Sequence, residues 1–118
     1  MKDTLLPGLS ARKTFEVTEE HTTGHVARSV LAAPSMIALI EWTCFEATAG
    51  HVDEGETTVG IHVCVSHESS VTTGETIDIQ ADLREVDGRK MLFDVEVTGP
   101  RGRVSTGTHR RAVFRLPS

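Results

Sequence analysis

The sequence predicts an α+β domain in which a five-stranded antiparallel sheet wraps one long apolar helix. Three observations predict it. The stretch from Pro34 to Ala49 is the most apolar helical segment, opens on a proline and runs into Gly50. From Thr57 onward the hydrophobic period changes to two and stays there. Two turn signals, Asp87-Gly88 and Gly99-Pro100-Arg101-Gly102, then divide that region into hairpins.

Taken in chain order, residues 10–18 read as a first strand with Phe15 and Val17 on one face. Residues 19–30 are polar and contain Gly24, which predicts a loop or a short lid. Pro34 suits a first helical position, and the helix should be buried on most sides until Gly50 stops it. Residues 57–67 place Val59, Ile61, Val63, Val65 and His67 on one face of a second strand. Residues 75–86 alternate Ile77, Ile79, Ala81 and Leu83 with polar side chains, and 89–98 point Met91, Phe93, Val95 and Val97 inward. Residues 103–115 form the last strand, with a bulge expected at Gly107. One sheet around one helix leaves little second layer, so pairing through a sheet edge into a homodimer is expected.

The 118 residues suit a single domain spanning 1–118. Residues 1–83 carry 4 Lys/Arg against 13 Asp/Glu, whereas residues 84–118 carry 8 against 4. An acidic chain without an aromatic-rich basic surface argues against general nucleic-acid binding. The basic final third leaves room for a small phosphorylated ligand; the plainer reading is that Arg89, Lys90, Arg101 and Arg103 solvate hairpin ends. No apolar run reaches the roughly 18 residues of a membrane span, and the first residues, with Asp3 and Pro7, do not read as a signal peptide. A cytoplasmic location is expected. Cys44 and Cys64 lack partners at ligand spacing and read as small buried hydrophobes. His21 and His25 are four apart, but the intervening Thr-Thr-Gly argues against a helix, so no metal is expected.

Chemistry is sought first at Glu41, the only charged side chain between Arg28 and Glu46. On a helical period it is flanked by Ile37, Ala38, Cys44 and Phe45. A carboxylate there loses hydration unless something pairs with it, and a poised acid or base is a common reason for keeping one. His67 ends the apolar stripe of its strand. It reads either as a core histidine satisfied by a carbonyl or as the partner that makes a Glu–His acid/base unit. Gly60, a glycine inside a β-branched strand, marks a bulge or the close approach of a ligand, and its amide can donate to a developing oxyanion. No nucleophile elbow, phosphate loop or dinucleotide fingerprint is present.

The segments AAPSMIALIEWTC, GETTVGIHVCVSH and GTHRRAV, at their spacing, resemble the fluoroacetyl-CoA thioesterase-like family of hot-dog proteins over residues 30–115. The resemblance implies a hot-dog fold, a dimer, and metal-free hydrolysis of short acyl-CoA thioesters, with coenzyme A entering only as part of the substrate. It places the family's catalytic glutamate on Glu41 and its histidine on His67. The glycine near the thioester carbonyl falls on Gly60, and an arginine that is a CoA or structural contact falls on Arg111. The family's threonine, eight residues before the glutamate, falls on Ala33, a departure that removes a hydroxyl. Ser35 lies about 200° around the helix and is a poor substitute. The function expected is hydrolysis of a short or medium acyl-CoA through Glu41 and His67. The alternative is an acyl-CoA or small-acyl binding protein without turnover, with a hot-dog hydratase behind both.

Overall fold

The structure, a computed structural model, describes residues 1–22 and 29–117. Strand β1 (Ser10–Glu16) is followed by a single 3-10 turn at Glu19–His21 and by helix α1 (Ala33–Ala49). Strands β2 (Glu56–Val65), β3 (Thr76–Asp87), β4 (Lys90–Gly99) and β5 (Gly102–Arg115) complete the chain. Of the loop or short lid expected over 19–30, residues 23–28, Gly24 and His25 among them, lie outside the described residues.

The strands form one antiparallel five-stranded sheet in the order β1-β3-β4-β5-β2, which leaves β1 and β2 as its edges. Helix α1 lies across the inward face and packs on β1, β2 and β3. The expected alternation of β3 and β4 holds: Ile77, Ile79, Ala81, Leu83, Met91, Phe93, Val95 and Val97 are all buried. Met36, Ile40 and Cys44 of the helix join them, one helical turn apart, as an amphipathic face requires. Thr43 and Thr48 are also buried, each satisfied by donating its hydroxyl to a carbonyl within the helix, Leu39 and Phe45 respectively.

The β3–β4 hairpin turns through Gly88-Arg89, since Asp87 pairs with Lys90 and Gly88 takes a φ of +61°. The glycine supplies the positive φ that a tight hairpin demands, one position later than an Asp87-Gly88 loop would have it. Irregularity in β5 lies beside Val104, where Ser105 faces Val97 but Arg103 faces Thr98, and not at Gly107. Gly107 answers a different need. A β-carbon there would sit 2.0 Å from the Cys64 carbonyl oxygen, so the backbones of β2 and β5 approach too closely for any side chain.

Three further expectations are corrected. The helix is buried along one side only: Trp42 is 50% exposed, Ala33, Ala38 and Glu46 are open, and Phe45 is half-buried. The sheet of one chain curls around part of the helix and leaves the rest uncovered. The stripe of β2 is also broken. Gly60 pairs with Arg111 and His62 with Arg110, which leaves Ile61 as an extra residue. The alternation therefore slips at Ile61, so Val59 shares the outer face with Ala112 while Val63 and Val65 face inward. Cys64, opposite Thr108 on the outer face, is exposed and not a buried hydrophobe, whereas Cys44 is buried and its thiol is pushed up to about 12, chiefly by desolvation. Among the described residues, no helix is long and apolar enough to cross a membrane.

Candidate active site

Helix α1 carries Glu41 on the border between its buried and open sides, so the carboxyl is half-buried beneath the bulge of β2. A β-carbon on Gly60 would lie 2.6 Å from Glu41 Oε2 and 2.9 Å from His109 Cε1. Only a glycine lets the strand lie this close to both side chains. A cavity of about 250 Å³ opens here, lined by Glu41, by Gly60 through Val63, and by His109. Glu41 also borders a second, more apolar cavity of about 360 Å³, between Ala38, Trp42 and Phe45, with Arg111 in its wall. Trp42 and Phe45 stack with ring centroids 5.4 Å apart, giving that cavity an aromatic side.

The inward side of β5 brings two polar residues under this site. His109 is 1% exposed and Arg111 is 5% exposed. Arg111 donates Nε–H to Thr58 Oγ1 at 2.9 Å and an Nη2 proton to the Thr58 carbonyl at 2.7 Å. Its Nη1 donates to His109 Nε2 at 3.0 Å, and the guanidinium lies 5.8 Å from the centre of the Phe45 ring. His109 Nδ1 reaches the His62 carbonyl at 2.8 Å. Burial lowers the pKa of His109 more than any neighbour, and the Arg111 charge adds to that lowering. Desolvation likewise lowers Arg111, which among the described residues has no carboxylate within ion-pair distance.

The structure thus brings Glu41, Gly60 and Arg111 together and leaves Ala33 and His67 elsewhere. His67 lies just past the end of β2, exposed, beside a cavity of about 270 Å³ that it shares with Val30, Leu31, Glu68, Ser69 and Ser70. Ala33 opens the helix, close in sequence to Leu31 and about 12 Å along the axis from Glu41. Within one chain Glu41, Gly60 and Arg111 gather at mid-helix, while His67 shares its cavity with Leu31, ahead of the helix start. Among the described residues, neither the Glu41 carboxylate nor the His67 ring has a hydrogen-bond partner.

Sequence reasoning passed over His109 and Thr58. The signal was available in the parity of β5. With Val113 taken as inward-facing, Arg111 and His109 fall on the same face, two and four residues before it. Arg111 turns out not to lie on an open surface but to tie β5 to β2 from inside.

Residues 13–116 match the family described as fluoroacetyl-CoA-specific thioesterase, FlK. The fluoroacetyl-CoA thioesterase of Streptantibioticus cattleyicolor is 31% identical over 125 residues, covering 98% of this chain and 90% of that protein. A solved structure of the fluoroacetyl-CoA thioesterase FlK superposes with a TM-score of 0.91 at 30% identity, covering 97% of this chain and 91% of the other. A hot-dog-like protein from Thermanaerovibrio acidaminovorans gives a TM-score of 0.85 at 18% identity, over 92% and 83% of the two chains, a likeness of fold.

Proposed function

The chain belongs to the fluoroacetyl-CoA-specific thioesterase family, and on that premise we propose that it hydrolyses a short or medium acyl-CoA thioester to the free acid and coenzyme A. One observation carries this reading: Glu41 Oε2 lies directly under the backbone of Gly60, beside an open cavity. A carboxylate at that place takes a proton from water as the water attacks the thioester carbonyl carbon. The Gly60 amide, on the bulged strand, donates to the carbonyl oxygen as it becomes an oxyanion. Collapse of that intermediate breaks the carbon–sulfur bond, and the proton taken by Glu41 is relayed through His67 to the departing CoA thiolate, which restores the carboxylate. The apolar cavity between Trp42 and Phe45 suits the acyl group.

The separation of His67 from Glu41 within one chain supports a homodimer as the working unit. Among the described residues no strand pairs with the outer edge of β2, and Val59, Ile61 and Val63 are 40%, 48% and 36% exposed along it. Antiparallel pairing of two β2 edges about a centre near Val63 sets His67 of the partner subunit beside Gly60 and Glu41. The same pairing shields these apolar side chains at the edge.

Thiol release from acyl-CoAs of increasing chain length, fluoroacetyl-CoA among them, tests the reaction. Glu41→Gln is expected to lower turnover on the order of 100-fold or more without moving the melting midpoint. Ala33 favours a second reading, because the hydroxyl that the resemblance implies is missing. Wild-type protein that binds CoA esters but releases no thiol would establish a non-catalytic acyl-CoA binding protein. In that case Ala33→Thr is the variant expected to gain turnover.

A further inference from the structure

His109 has a donor on one side and a lone pair on the other, and its two partners leave it no choice of state. The His62 carbonyl only accepts, so Nδ1 carries the proton. The Arg111 guanidinium only donates, so Nε2 is bare. The ring is the neutral Nδ1–H tautomer. A protonated Nε2 would meet an Arg111 N–H at 3.0 Å with no water to separate them.

The same logic runs onward into the helix. Thr48 donates its hydroxyl to the Phe45 carbonyl at 2.9 Å, so in its contact with Thr58 it accepts, at 3.0 Å. Thr58 Oγ1 in turn accepts from Arg111 Nε. Every donor and acceptor in this chain is fixed, from the β2 carbonyl at the bulge, through His109 and Arg111, to a carbonyl on α1. One end of it lies two residues from Gly60 and the other four residues from Glu41. His109 Cε1 also meets the space where a Gly60 side chain would stand.

We propose that His109 is a positioning residue for the hydrolysis, holding the bulge of β2 at one fixed height over Glu41 through its Nδ1–H. This rests on the thioesterase reading above. The ring takes no proton from substrate, because its only lone pair is held by Arg111. Its surroundings favour that state. The charged and titratable groups around it are Arg111 on β5, Glu41 on α1 and His62 on β2, and burial outweighs them in lowering its pKa.

Two substitutions separate this role from simple packing. In His109→Asn the amide nitrogen occupies the place of Nδ1 and keeps the tie to the bulge, while the contact with Arg111 is lost. In His109→Gln the longer side chain keeps an acceptor for Arg111 and loses the tie. Positioning predicts that His109→Gln loses kcat on the order of 100-fold with KM little changed, and that His109→Asn retains most of it. A packing role predicts parallel losses in both, in step with their melting midpoints, and that result would overturn the proposal. Nitrogen-15 NMR of the wild-type imidazole gives a readout independent of activity. A proton on Nδ1 and none on Nε2 at neutral pH is expected; an Nε2–H tautomer or an imidazolium there would also overturn it. A wild-type protein that releases no thiol from any acyl-CoA removes the hydrolysis reading and the positioning role with it, while the NMR still decides the tautomer.

Discussion

The β3–β4 half of the sheet and the β2–β5 half turn very different faces toward the same helix. Inward positions of β3 and β4 are apolar and fully buried, Ile77, Ile79, Leu83, Phe93, Val95 and Val97 among them. Inward positions of β2 and β5 include Thr58, Gly60, His109 and Arg111, and β2 is bulged next to Gly60. The first half can be read as stabilising by burial and the second as arranging polar groups at some cost to stability. The Thr58, His109 and Arg111 part of that face is tolerated because these side chains pair with one another and with carbonyls of β2, whereas Ser105 Oγ is buried without a partner among the described residues.

That contrast can be broken at its apolar side most severely. Ile79→Ala empties a fully buried site away from His109 and is expected to cost about 2–5 kcal/mol in a denaturant titration. Turnover per folded molecule should stay as it was. Gly60→Ala sharpens the other side. Its new β-carbon would displace the Glu41 carboxylate and the His109 ring, so turnover should fall on the order of 100-fold. The midpoint of unfolding should fall by less than turnover implies, since Glu41 Oε2 is a movable side-chain end and only the buried His109 ring resists displacement. If instead stability falls and turnover holds, the division between the two halves is wrong.

Arg111→Lys is expected to lie between those two, with losses in both measurements. An ammonium cannot reach Thr58 Oγ1, the Thr58 carbonyl and His109 Nε2 at once, so about 1–3 kcal/mol of stability should go with the unpaired groups. The smallest effect is expected at the far end of β2. There the Glu56 carboxylate is held near a pKa of about 2, first by the terminal ammonium of Met1 and then by Arg89. A carboxyl depressed on folding stabilises the native state above its ordinary value of 4.5. That contribution is lost as pH falls from there toward 2. Acid titration of wild type against Glu56→Gln should show the wild-type advantage shrinking across that window. An advantage that persists in acid would mean that the ion pairs contribute nothing.

The same division decides what was legible in the sequence. The helix from Ala33 to Ala49, β4, and β3 as far as Leu83 could be read because each obeys one period over that run; β3 slips only beyond it, at Arg84. Strand β2 could not, because Ile61 is inserted where the pattern Val59, Ile61, Val63 looks unbroken. A bulge leaves no mark in hydrophobicity when the extra residue is itself apolar. Glu41 stood out as a lone charge among apolar neighbours, and the structure gives it Gly60 for a ceiling. His109 did not stand out, since a histidine followed by two arginines reads as solvated surface until the parity of β5 is set by Val113. His67 was assigned to the stripe of β2, but the strand ends at Val65 and the imidazole stands outside it.

Ile61 also reverses the usual expectation about insertions and deletions. Removing one residue from the middle of a strand normally turns every later side chain to the wrong face. Here the partners on either side, Gly60 with Arg111 and His62 with Arg110, are already consecutive on β5. A chain lacking Ile61 keeps each remaining residue opposite its present neighbour and on its present face. The ladder gains regularity, and what disappears is the kink that arches the backbone over Glu41. Here the shorter sequence is the more regular sheet, and the added residue has its reason in the cavity.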